Sequence, residues 1–117
     1  MFERTYVFNQ PIGDWNVSSV TDMSYMFNKA FDFNQPIGDW DVSSVTDMHK
    51  MFQFADKFNQ PLDKWDISKV TCMSDMFLYA RSFNQDISCW NINNKTNTSD
   101  MFTDCPIKKK YKPKKCR

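Results

Sequence analysis

The chain has 117 residues and a net charge of +1, with 41% hydrophobic residues, 11 Phe, 8 Met and 4 Trp but only 2 Gly. That is one domain's worth of chain, too poor in glycine for a phosphate-cradling loop or collagen-like packing. No run approaches the roughly 20 apolar residues of a membrane-spanning helix.

The near-neutral total hides two regions. Residues 1–107 carry 8 Lys and Arg against 14 Asp and Glu, leaving −6, whereas residues 108–117 carry 7 cations and no acid. The N-terminus lacks the basic start and apolar stretch of a signal peptide, so a surface-displayed form would need a leader outside this sequence. The compartment stays open, with free thiols leaning towards a reducing compartment or a virus particle.

Phe-Asn-Gln-Pro-Ile-Gly-Asp-Trp at residues 8–15 returns unchanged at 33–40, then in altered form at 58–65 and 83–90, each time 25 residues on. A fixed period of this size marks a stacked repeat array, in which each unit leaves apolar faces bare until a neighbour covers them. Met1-Phe2 aligns with Met26-Phe27. The array is therefore expected to open midway through a unit, without a cap, which makes that end a candidate contact for another protein.

Within a unit, residues 8–20 hold apolar side chains at Phe8, Ile12, Trp15, Val17 and Val20. That spacing predicts a short extended piece around Ile12 and a corner at 17–20, with Pro11 excluding helix. Residues 21–30 place Met23, Met26, Phe27 and Ala30 at i, i+3, i+4 and i+7, which predicts a short helix. Thr21 is its expected N-cap and Asp22 sits at the positive end of its dipole. The expected fold is therefore α/β: a solenoid of about four 25-residue coils, each a short parallel strand plus a short helix. Phe8, Phe33, Phe58 and Phe83, and Trp15, Trp40, Trp65 and Trp90, form its expected core ladders. Asn9, Asn34, Asn59 and Asn84 form a ladder that satisfies turn backbone inside the coil. The repeat region spans 1–107, with a polar closing coil at 91–107 where Lys95 and Thr98 replace Val20 and Met23.

Residues 33–48, followed by Met51-Phe52, resemble the BspA-like surface-protein repeats, a leucine-rich-repeat-related family found in mycoplasma lipoproteins, other bacteria, protists and large DNA viruses. The resemblance covers about residues 1–105. It implies a right-handed leucine-rich-type solenoid and a role in binding or surface display, and it brings no catalytic motif. The chain departs from that pattern in its period of 25, and in using Phe, Trp and Met where leucines are usual.

Few residues point to chemistry. His49 is the one histidine and replaces the serines at 24, 74 and 99 in an outward column. The aspartate columns (Asp22 with Asp47, Asp14 with Asp39, Asp41 with Asp66) could offer oxygen ligands to calcium, but Cys72, Lys64 and Cys89 interrupt them or their neighbours. The serines lack a partner histidine for a hydrolase triad. The cysteines have no CxxC spacing, which argues against zinc, and Cys105 fills an alanine slot; a Cys72–Cys89 bridge stays open. No catalytic residue, metal or cofactor is expected, and the chain is not expected to be an enzyme.

The basic segment, 108–117, is expected to be extended and mobile. Lys108, Lys109, Lys110, Lys112, Lys114, Lys115 and Arg117 would act as an electrostatic tether to an acidic protein, nucleic acid or an anionic surface. The functional expectation is a noncatalytic protein-interaction or surface-display module. The alternatives are a structural component of a larger assembly, such as a viral particle, and tail-mediated binding to nucleic acid or an anionic surface.

Overall fold

Between Met23 and Ala30 the backbone amides alternate between two destinations. Met26, Asn28 and Ala30 donate within the repeat, to the carbonyls of Met23, Tyr25 and Phe27 at 3.3, 3.1 and 3.0 Å. Met23, Tyr25, Phe27 and Lys29 donate instead to Asp47, His49, Met51 and Gln53 of the next repeat, at 2.9, 3.1, 2.9 and 2.8 Å. An α-helix would send all of these amides four residues back along its own segment. Here a chain of three-residue-offset turns takes three of these seven, and the neighbouring repeat takes the other four.

The turns require left-handed backbone at two positions per repeat. Tyr25 and Lys29 both have φ of 60°, and Lys50, Phe54, Asp75, Tyr79, Asp100 and Asp104 repeat this at φ of 53–59°. Each such non-glycine residue costs on the order of 1 kcal/mol, and each inter-repeat hydrogen bond offsets a comparable amount.

The computed structural model describes residues 2–117 and measures 34 × 30 × 19 Å. Met1, on which the expected half-unit start partly rests, lies outside the described residues. Among those residues there is no α-helix and no β-strand. The regular elements are two single-turn 3-10 helices, Lys109–Tyr111 and Lys114–Cys116, and three isolated parallel bridges, Asp22 to Asp47, Asp47 to Cys72 and Cys72 to Asn97. This overturns the expected α/β class, the right-handed leucine-rich-repeat-like solenoid with a strand and a helix in each coil. The apolar spacing that predicted the helix is also produced by consecutive turns. The extended piece expected near Ile12 is a turn as well, closed by Trp15 N–H to Ile12 C=O at 3.1 Å.

What the repeat produces is a set of layers in strict 25-residue register. Phe2, Phe27, Phe52, Phe77 and Phe102 stack in one column, with successive ring centroids 5.8, 5.5, 5.4 and 5.6 Å apart. Phe8, Phe33, Phe58 and Phe83 form a second column at 5.8, 5.8 and 6.0 Å. The columns touch inside each layer, as at Phe27 and Phe33, 4.1 Å apart. Met23, Met48 and Met73, with Val45, Val70 and the alanines at 30, 55 and 80, complete the buried core.

Small hydrogen bonds keep the layers in step. Asn9 Oδ1 accepts Asn34 N–H at 2.9 Å, Asn34 Oδ1 accepts Asn59 N–H at 2.9 Å, and Asn59 Oδ1 accepts Asn84 N–H at 2.9 Å. Thr21 is not a helix cap; its carbonyl accepts Thr46 N–H at 2.7 Å and Thr46 Oγ1 at 3.2 Å. Asp22 forms an Asx turn, accepting Ser24 N–H at 2.8 Å.

The C-terminal part closes differently from the expectation. Lys95 loops outward, and Thr96 turns into the buried position, its hydroxyl donating to Val70 C=O at 3.0 Å. The segment expected to be mobile packs as a partial further layer. Ile107 is buried next along the Phe83 column, Lys108 N–H donates to Asn84 Oδ1 at 3.0 Å, and Ile87 N–H donates to Tyr111 C=O at 3.0 Å. Pro113 is buried, and Lys115 Nζ donates to the carbonyls of Asn93, Asn94 and Thr96 at 3.0, 3.0 and 2.6 Å.

Candidate functional site

A concavity runs across three layers along one face of the stack. It is a groove of about 560 Å³ lined by Pro11, Pro36 and Pro61, Gly13 and Gly38, Gln60, and the charged side chains of Asp14, Asp39, Asp63 and Lys64. The prolines expose flat rings, and the glycines let successive layers close up. A Cβ on Gly13 would lie 2.6 Å from Pro36 O, and one on Gly38 would lie 2.7 Å from Pro61 O. The groove floor is therefore backbone held at close approach by the next layer.

Charge in the groove is mostly negative and exposed. Lys64 Nζ lies 3.6 Å from Asp39 Oδ1 across adjacent layers, while no ion pair engages Asp14 or Asp63 among the described residues. The residue types at this face were visible in the sequence, but their convergence was not, because the groove combines three different columns. Pro-Ile-Gly-Asp repeating twice was the signal that could have found it.

The tryptophan column is structural for most of its length. Trp40, Trp65 and Trp90 are buried, and their indole N–H groups donate to Ile12, Ile37 and Leu62 carbonyls of the preceding layer at 3.1, 3.0 and 3.0 Å. Trp15 has no layer before it. It is 44% exposed, with the Phe2 ring 5.6 Å from its own, and its N–H finds no such acceptor among the described residues. A second cavity of about 410 Å³ opens here, lined by Trp15, Val17, Val20, Met23 and Met26. Phe8, at the same end, is only half-buried, whereas Phe33, Phe58 and Phe83 are fully buried.

The remaining candidates resolve into local structure. His49 is half-buried, its ring edge-on to Tyr25 at 4.7 Å and its Nδ1 3.7 Å from Asp47 Oδ1. The carboxylates of Asp41, Asp66 and Asp86 accept the amides of Ser43, Ser68 and Ser88, each at 3.0 Å. Hydrogen bonds from those serines hold all three carboxyls, and that of Asp22 beside Ser24, below the usual aspartate range. Among the described residues no three metal-ligating side chains converge. All four cysteines are unbridged, Cys72 and Cys89 included. Burial pushes the Cys105 thiol up to about 11, and burial raises that of Cys116 as well.

The basic segment presents Lys108, Lys109, Lys110 and Lys114 to solvent from a fixed surface. Lys112 Nζ lies 5.6 Å from the centroid of the Phe102 ring, and Arg117 Nε donates to Lys112 C=O at 3.2 Å. Lys115 is turned inward onto carbonyls. The seven cations thus divide between packing roles and an exposed basic patch.

Against known proteins, the family model described as Mycoplasma protein of unknown function, DUF285, matches residues 1–113. The chain belongs to that family. The match runs past Ile107 into the basic segment, in keeping with the packing of that segment as part of the repeat body. No curated protein and no solved structure matches the chain.

Proposed function

We propose that this DUF285 chain is a noncatalytic protein-interaction module of the BspA-like kind, and that its docking face is the proline-lined groove. The observation that carries the reading is the groove itself: three layers contribute Pro11, Pro36 and Pro61 beside Asp14, Asp39 and Asp63 over a rigid backbone floor. Such a surface suits an extended basic segment of a partner, whose cations meet the carboxylates while its backbone lies along the proline rings. Exposed ion pairs each contribute less than about 1 kcal/mol, so the expected affinity is modest and falls with salt. The test is a titration of a Lys- and Arg-containing unstructured peptide, with an acidic peptide of equal length as control. Asp14→Asn, Asp39→Asn and Asp63→Asn together should weaken the basic peptide by about tenfold. Equal binding by wild type and the triple variant would sink the groove reading.

A second reading has its own observation. The exposed apolar side chains of Val7 and Trp15 suit a structural component of a larger assembly, such as a viral particle. The exposed lysines at the opposite end would then supply contact with an anionic surface or nucleic acid. A salt-sensitive affinity for duplex DNA that disappears in Lys109→Gln, Lys110→Gln, Lys114→Gln protein would favour that role for the patch.

A further inference from the structure

The three aspartates of the proline-lined groove are not equivalent. Residues 11–14 and 36–39 both read Pro-Ile-Gly-Asp, whereas residues 61–64 read Pro-Leu-Asp-Lys. The column that holds Asp14 and Asp39 therefore continues as Lys64, the one cation lining the groove among the described residues. Its ammonium does not stay in its own layer. It reaches back to within 3.6 Å of Asp39 Oδ1, over a floor where Gly38 puts no side chain. The middle carboxylate is thus already facing a cation that belongs to the protein. Among the described residues Asp14 and Asp63, on either side of it, have no such partner.

The contact is close enough to compete and weak enough to be exchanged. At 3.6 Å it is longer than a charge-assisted hydrogen bond. The Asp39 and Lys64 side chains are 88% and 75% exposed, so water screens the pair and its net worth is small. The four-carbon lysine stem lets the ammonium swing out without any shift of backbone. A pair built the same way stands outside the groove, where Lys57 Nζ lies 3.1 Å from Asp32 Oδ1, again one layer on in a shared column. It gives a matched reference for what removing one lysine charge does elsewhere.

We propose that Lys64 is a built-in competitor for the cation subsite at Asp39: its ammonium occupies the place of a ligand cation in the free protein and swings out when a partner's basic segment docks. This rests on the groove being the docking face and adds the regulation of that face. Asp14 and Asp63 take up cations directly, whereas the contact at Asp39 is made only in exchange for one already present. The affinity of the groove is held down accordingly.

The experiment is a double-mutant cycle on the full chain. The unstructured Lys- and Arg-containing peptide is titrated at low salt into wild type, Asp39→Asn, Lys64→Gln and the double variant. Lys64→Gln should tighten binding about threefold. Asp39→Asn should weaken binding about threefold more in Lys64→Gln protein than in wild type, because only there is the carboxylate free beforehand. Lys57→Gln removes the same charge from the matched pair and should change affinity by less than about 1.5-fold. A second readout follows the ammonium itself: the Lys64 ε-methylene resonances should shift in the same direction on peptide binding and in Asp39→Asn, since both release it. Near-ultraviolet circular dichroism checks that the variants are folded. Equal effects of Asp39→Asn in the two backgrounds, equal effects of Lys57→Gln and Lys64→Gln, or Lys64 resonances that stay still as peptide binds would each overturn the competitor and leave the groove reading standing. No binding of the basic peptide by wild type and Lys64→Gln alike would overturn both.

Discussion

Residues 8–15 and residues 33–40 carry the same eight side chains, yet they do different work. In the second copy Phe33 is fully buried, Trp40 is 4% exposed and its indole N–H is bonded to Ile12 C=O. In the first copy Trp15 is 44% exposed and Phe8 half-buried. The difference lies entirely in what precedes each segment in space. A repeat unit here is a surface waiting for a neighbour, and its energetic role is set by its place in the stack.

The comparison is most directly broken by truncating the two tryptophans. Trp40→Ala should cost about 3–5 kcal/mol, through a cavity and the loss of one of the two donors to the Ile12 carbonyl, whereas Trp15→Ala should cost about 1 kcal/mol or less. Urea unfolding of both variants reads this difference. Similar losses at the two sites would contradict the difference in burial between them.

Glycine separates the neighbour ahead from the neighbour behind. Gly13 and Gly38 each approach a proline carbonyl of the following layer, and both layers have a following layer. Alanine at either position should therefore cost about 1–3 kcal/mol, since backbone rather than a flexible side chain must give way. A much smaller loss at Gly13, measured by thermal melting, would show that the outer layer yields more easily than the inner one.

The other end sharpens the contrast, because it has a cap. Replacing Lys115 by methionine keeps a long apolar stem but removes the ammonium from the carbonyls of Asn93, Asn94 and Thr96. The expected loss is about 1 kcal/mol, with faster amide exchange confined to residues 91–98. Exchange that speeds up equally at the N-terminal layer would contradict a local cap.

The smallest effect uses a natural pair. Asn16 Oδ1 accepts Ser18 N–H at 3.1 Å, and in the next layer Asp41 Oδ1 accepts Ser43 N–H at 3.0 Å. The Ser43 hydroxyl and amide hold the Asp41 carboxyl below its ordinary value of 3.8. A depressed folded-state pKa adds stability that is present above the unfolded value and lost as pH falls through the folded one. Below about pH 4 the Ser43 amide resonance should therefore shift while that of Ser18 stays still. Asp41→Asn should preserve the turn and remove the acid response there. Identical acid shifts at Ser18 and Ser43 would rule out the carboxylate as the cause.

Much of the core was legible as columns. Residues that recur every 25 positions meet their counterparts, so the phenylalanine and methionine sets could be read off before any coordinates. The helix at residues 21–30 was not legible as turns, because Met23, Met26, Phe27 and Ala30 line one side in either conformation. Tyr25 and Lys29 gave no warning of left-handed backbone, for neither is glycine or asparagine. The groove was not legible because it joins the proline column to the separate glycine and aspartate columns on one face.

The sequence by itself determined the period, the register and the membership of each core column, because identical units can bury their apolar faces only against one another. Tertiary structure decided the backbone path, the fate of the cations and the inequality of identical segments. Amides at Met23, Tyr25, Phe27 and Lys29 choose a neighbouring layer over a helix only when that layer exists. Lysines at 108–117 read as a free tail until Ile107, Tyr111 and Pro113 find the open face of residues 83–97. Trp15 and Trp40 differ only in whether another layer reaches them, a fact that resides in the assembled stack and in no single repeat.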